Sequence, residues 1–182
     1  MVSSVGLDPG RDIVWKGHAP EESIRLFEQG KVDALPGFMP EPQVLRAKKV
    51  GHVLLNTLTD RPWSQYFCCL AAGNREFVRK HPVATKRALR ALLKAVDLCV
   101  SQPDNAARLM VNRGVPTGYD YVLQAVREIG YAKWREFESE DTTRFWRLRL
   151  RELGIIKLSP QKLLAQGTGW RFVNELKKEL KA

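Results

Sequence analysis

The sequence predicts an α/β protein whose first third alternates strand and helix and whose remainder is helical. Three observations predict it. Short apolar runs, some rich in β-branched or aromatic residues, stand between turn signals up to residue 73. From Val83 to Val100 apolar residues recur at helical spacing. Gly and Pro punctuate the joins between these segments.

The elements follow in order. Val5-Gly6-Leu7-Asp8-Pro9 reads as the end of a helix and a turn. Asp12-Ile13-Val14-Trp15-Lys16 is a short strand, followed by the loop Gly17-His18-Ala19. Pro20 suits a first helical turn, and Glu21 and Glu22 suit the positive end of the helix dipole. Ile24, Leu26 and Phe27 give that helix an apolar side, and Gly30 sits at its C-cap. Val32-Asp33-Ala34-Leu35 is the next strand, expected parallel to the first through a right-handed crossover.

A turn-rich break, Pro36 to Pro42, leads to a helix from Glu41 to Lys49 closed by Gly51. His52-Val53-Leu54-Leu55-Asn56 is a third strand, and Tyr66 to Ala71 a fourth. Beyond Asn74 the chain reads as helix. Val83, Leu89, Leu93, Val96 and Val100 mark one buried stripe. Ser101-Gln102-Pro103-Asp104 and Thr117-Gly118-Tyr119-Asp120 carry the capping-box pattern for two further helices. Ser139 opens another, ending at Gly154, and Ser159-Pro160 and Thr168 open two short last ones.

Composition is that of a globular protein, with 44% hydrophobic and 27% charged residues. No apolar run reaches the roughly 20 residues of a membrane span. The first ten residues show neither a basic n-region nor an apolar h-region, so no signal peptide is expected at this start. Charge is uneven. Residues 1–60 carry 7 Lys/Arg against 8 Asp/Glu, and residues 61–182 carry 23 against 12. That basic balance fits nucleic acid, an anionic surface, or simply solvated helix faces.

Three cysteines occur, Cys68, Cys69 and Cys99. Vicinal thiols rarely bridge each other, and no Cys/His cluster stands at metal-ligand spacing. They read as reduced small hydrophobes, with no metal and no cofactor expected.

The most informative stretch is Arg61-Pro62-Trp63-Ser64-Gln65-Tyr66-Phe67-Cys68-Cys69-Leu70. A segment this dense in aromatics is either a core strand or the wall of a pocket. With Gly6-Leu7-Asp8-Pro9, Asp12-Ile13, Gly30-Lys31-Val32-Asp33-Ala34 and Glu41-Pro42, and running on to Asn174–Glu179, it resembles the substrate-binding proteins of ABC importers. The family is the one that binds nitrate, taurine, alkanesulfonates and thiamine-pyrimidine precursors.

The resemblance implies a two-lobed, type II periplasmic-binding-protein-like fold with a ligand in the cleft between lobes. It implies that residues 1–36 end the second lobe, 37–73 cross between lobes, and 74–182 form the helical part of the first. Members of the family are longer, so the chain is expected to be its carboxy-terminal portion. The resemblance also implies a small-molecule ligand, permease subunits as partners, a periplasmic location and a monomer. A shortened chain is expected to self-associate through unpaired strand edges. A chain that truly starts at Met1 is expected in the cytoplasm.

In open α/β sheets ligands sit beyond the carboxyl ends of strands, at loops and helix starts. The candidate ligand-binding residues are therefore His18, Phe38, Glu41, Trp63, Gln65 and Tyr66. Glu41, at the family's Glu-Pro position, accepts from a ligand N–H or is a first-turn glutamate. Trp63 and Tyr66 stack on a planar ligand or pack in the core. His18 is a loop histidine placed beside the cleft.

Two other functions compete. Arg87, Arg90 and Lys94, with Arg144, Arg147 and Arg151, make basic stripes that suit a helical nucleic-acid-binding protein. The thiamine-pyrimidine synthases share the fold and use a longer cysteine-rich run, with histidine, in an iron-dependent single turnover. Two thiols do not make that run, so binding without catalysis is the expectation.

Overall fold

The computed structural model describes residues 1–67, 69–157, 159, 161, 162 and 167–180. These residues form two compact units, Met1–Gly51 and His52–Ala182.

The first unit holds two helices, α1 (Pro20–Glu28) and α2 (Glu41–Ala47). α1 starts on Pro20, whose missing N–H needs no acceptor there, and Glu21 and Glu22 fill its first turn. It ends as the sequence predicts. Gly30 takes a left-handed φ of 67°, its N–H donates to Phe27 O (3.0 Å), and Lys31 N–H donates to Leu26 O (2.8 Å). α2 ends differently. The left-handed position falls on Lys49 (φ 57°), with Val50 N–H donating to Leu45 O (3.0 Å), so the helix stops before the expected Gly51. Gly51 has another task. A Cβ built on it would lie 2.6 Å from the Phe27 ring, so its bare backbone lets that ring approach. Lys48 pairs with Glu28 at 2.7 Å and ties α2 to α1.

The second unit is a helical assembly: α3 (Arg75–Lys80), α4 (Pro82–Ser101), α5 (Pro103–Asn112), α6 (Tyr119–Glu128), α7 (Ser139–Glu152) and α8 (Arg171–Glu179). Asn74 caps α3 by accepting from Phe77 N–H (3.1 Å). Pro82 and Pro103 separate α3, α4 and α5, since each takes a first-turn position and cannot continue the helix before it. The two expected capping boxes are not used. Ser101 Oγ instead donates back to Asp97 O (2.9 Å), and Gly118 makes the N-cap of α6 without a side chain. The last helix starts at Arg171 rather than Thr168, and the expected start at Ser159-Pro160 meets residues outside those described.

Ala107, Val122 and Val126 are buried together between α5 and α6, with Cys99, Leu123 and Tyr131 packed around them. α8 buries Phe172 and Leu176. Its Glu175 and Glu179 take Lys86 of α4 at 2.5 and 2.7 Å, and Glu179 also takes Arg90. Asp97 accepts from both terminal nitrogens of Arg135 (2.7 and 2.8 Å) and from Trp134 Nε1 (3.1 Å). The Arg135 guanidinium lies over the Trp134 ring. The stripe of α4 is only half covered: Leu89, Leu93 and Val96 are half-buried, while Val83 and Val100 remain exposed. Among the described residues no helix is long and apolar enough to cross a membrane.

The four expected strands are corrected. Asp12–Lys16, Val32–Leu35, His52–Asn56 and the described part of Tyr66–Ala71 are irregular, and no strand occurs among the described residues. A strand-like composition fits a pleated surface, but a neighbouring strand has to complete the ladder. At Asn56 and Tyr66 a local partner takes the backbone N–H instead. Asp60 Oδ2 accepts from Asn56 N–H (2.7 Å). Tyr66 N–H donates to Trp63 O (3.1 Å), closing a single turn of 3-10 helix over Trp63–Gln65.

Candidate functional site

The six expected residues are divided between the two units, three in each. In the first unit, Phe38 and Glu41 face each other across the turn that opens α2. Glu41 Oε2 accepts from Phe38 N–H (2.9 Å), and Glu41 N–H donates to Phe38 O (2.8 Å). One carboxylate oxygen is thus spent on the turn itself. The Phe38 ring projects outward, 74% exposed. His18 is also exposed, in the loop before α1, and neither Phe38 nor Glu41 is bonded to it among the described residues.

In the second unit, Trp63, Gln65 and Tyr66 sit on and after the 3-10 turn that follows Pro62. Trp63 is 5% exposed. Its ring meets Phe145 edge-on at 5.7 Å and lies over Trp146 at 5.8 Å. Tyr66, half-buried, stacks face to face on Phe145 with centroids 3.8 Å apart. Gln65 points to solvent. Phe67 continues the wall, edge-on to Phe137 and Trp170 at 5.9 Å each, and its carbonyl accepts from Trp146 Nε1 (3.0 Å). The aromatic segment is therefore a wall backed by α7. Trp63 is its foundation, Tyr66 its half-open surface, and Phe145 the ring that both share.

The residues that back this wall, Phe137, Phe145, Trp146 and Trp170, were not among those expected. The signal was present: α7 carries adjacent aromatics, and an aromatic-dense segment needs aromatic-sized partners. What sequence does not show is the pairing, because Trp63 and Phe145 lie far apart in the chain.

Shallow open depressions lie elsewhere. One is lined by Asn74, Arg75, Glu76, Arg79 and Lys80, and another by Lys80, His81, Pro82, Val83, Ala84 and Arg87. None of the six expected residues lines either. Cys69 is exposed and Cys99 half-buried, where burial pushes its thiol up from its ordinary pKa. Cys68 lies outside the described residues. Among the described residues no three His, Cys, Asp or Glu side chains gather as metal ligands would. The basic stripes are interrupted as well: Arg90 is held by Glu179, and Arg147 is 2% exposed within α7.

A model of the NMT1-like family matches residues 1–112. The chain belongs to the NMT1-like family. The NMT1-like stretch contains every landmark from Gly6 to Cys69 and all six candidate residues. It agrees with the resemblance to nitrate-, taurine- and thiamine-precursor-binding proteins, and points to a solute-binding role. The match ends at Asn112, at the end of α5, so the resemblance expected through Glu179 is shown over the first 112 residues only. Trp63 and Tyr66 thus lie within the NMT1-like stretch, whereas their backing helix α7 lies beyond it. Comparison with curated proteins gives no match, and comparison with solved structures gives none either.

Proposed function

We propose that this NMT1-like chain is the solute-binding component of an ABC importer, taking a small organic or anionic ligand and delivering it to the permease. The observation that carries the reading is the family match over residues 1–112, which spans Glu41 and the aromatic wall together. On this reading the working form has two lobes, and it acts in the periplasm. Residues 1–36 end the second lobe, 37–73 cross between lobes, and 74–182 form the helical part of the first. The protein binds without catalysing a reaction. Glu41 offers its remaining carboxylate oxygen to a ligand N–H, and Tyr66 offers the ring face turned away from Phe145. Phe38, Gln65 and His18 are exposed and are the further candidate contacts, each within its own unit, while Trp63 holds the wall in place.

A thermal-shift panel of nitrate, sulfonates and aminopyrimidines tests this. A ligand present at a hundred times its Kd stabilises the native state by about 2.7 kcal/mol. Against a ligand found this way, Glu41→Ala and Tyr66→Ala are each expected to weaken binding by about 1–3 kcal/mol. Unchanged affinity in both variants, with folding intact, removes the site assignment. A flat panel removes the solute classes named.

A further inference from the structure

Val14 has the highest exposure, 86%, of the large apolar side chains described, and Trp15 beside it is 64% exposed. Both lie in Asp12-Ile13-Val14-Trp15-Lys16, which has strand composition and no ladder. The turn before it is closed by its own bonds. Asp12 N–H donates to Asp8 O (2.8 Å), Asp8 N–H donates to Asp12 Oδ2 (2.8 Å), and Gly10 N–H donates to Asp8 Oδ1 (2.8 Å). Trp15 Nε1 donates to Pro9 O (2.7 Å), which ties the segment back onto that turn. Past the turn, the N–H groups of Ile13, Val14, Trp15 and Lys16 have no backbone acceptor among the described residues. The result is an anchored, apolar segment with its backbone open to pairing.

The order of residues selects the partner. Laid antiparallel against a second copy and centred on Val14, the segment places Asp12 opposite Lys16 at both ends. Ile13 then meets Trp15 twice, and Val14 meets Val14 on the two-fold axis. Opposite charges and aromatic–β-branched pairs are the favourable cross-strand neighbours, and no like charges face each other. An isologous contact of this kind closes on itself as a dimer. We infer that two copies of this chain associate through antiparallel pairing of residues 12–16 about a two-fold axis at Val14.

This inference does not depend on the ligand. A five-residue strand pair is marginal alone, so the dimer belongs in the upper micromolar range. The net charge of +10 opposes it at low salt, so physiological ionic strength is the condition to use.

Sedimentation velocity from low micromolar to several hundred micromolar reads the equilibrium directly. The wild-type chain is expected to pass from monomer to dimer. Val14→Lys, at an exposed site, is expected to weaken association at least tenfold. Lys16→Asp and Asp12→Lys each place like charges at both ends of the pair and are expected to weaken it by about tenfold. A mixture of the two restores association, because each Lys then faces an Asp of the other chain. Far-UV circular dichroism checks that each variant keeps its helices. Should Asp12→Lys disturb the turn it closes, Val14→Lys and Lys16→Asp decide the matter alone. A wild-type monomer at every concentration overturns the inference. So does a dimer that survives Val14→Lys, and so does a mixture of two folded charge variants that stays monomeric.

Discussion

Trp63→Ala separates a structural tryptophan from a ligand-facing one. The ring is 5% exposed and held on two sides, by Phe145 at 5.7 Å and Trp146 at 5.8 Å. Truncating a buried aromatic to alanine costs about 3–5 kcal/mol, the upper end applying where neighbours cannot collapse into the space. Here they cannot move freely. Phe145 is stacked on Tyr66 at 3.8 Å, and Trp146 is fixed by its bond to Phe67 O. Two lost aromatic pairs contribute about 0.5–1.5 kcal/mol each beyond the buried area. About 4 kcal/mol is therefore expected, or roughly 10 °C in Tm for a protein of this size.

Urea unfolding followed by far-UV circular dichroism is the assay, because the signal then does not depend on the tryptophan removed. The midpoint should fall with m unchanged. Tyr66→Phe is the control: it keeps the stack on Phe145 and is expected to stay within about 0.5 kcal/mol of wild type. Were Trp63→Ala to cost less than about 1 kcal/mol at constant m, Trp63 would not be the support of the wall, and the division of roles between it and Tyr66 would fall.

Lys49→Gly is expected to stabilise the chain by about 0.5–1 kcal/mol, since Lys49 holds a left-handed φ of 57° at the end of α2. Gly51→Ala is expected to lose at least about 1 kcal/mol, because its φ is 68° and the added Cβ would meet the Phe27 ring; chemical denaturation measures both. Arg135, then Trp134, hold the Asp97 carboxyl below its ordinary range. The native state thus binds this proton less readily than the unfolded chain. Its contribution is present above about pH 4 and lost as pH falls through the depressed native value, and Asp97→Asn should flatten that acid limb in pH-dependent melts. Thiol titration of the unfolded chain should count three cysteines, whereas in the native state Cys99, half-buried with its thiol pushed up, should react after exposed Cys69. A Cys99 that reacts as fast as Cys69 would contradict that packing.

The helices were legible because their signals are local. Pro20 and Pro82 start helices where a first-turn proline should, and Gly30 and Gly154 end them with the left-handed φ the sequence led one to expect. Where the local signal was ambiguous, competition decided. Ser101 chose the carbonyl of Asp97 over a capping role, and Lys49 turns left-handed at the end of α2, two residues before the left-handed Gly51. The strands failed for the opposite reason. Val14, Val53 and Leu54 suit a sheet, but pairing is settled by a neighbour that composition cannot name, and all three are exposed.

The aromatic segment shows the same limit at the site. Its aromatics announce a wall or a core, and only the place of Phe145 distinguishes the two. Trp63 has both neighbours occupied and almost no surface left. Tyr66 has one face taken by Phe145 and stays half-buried. Exposing Trp63 means prising it from Phe145 and Trp146, whereas part of Tyr66 is already at the surface. That asymmetry gives Trp63 a supporting place and leaves Tyr66 the more accessible ring, although the sequence presents the two residues as equals.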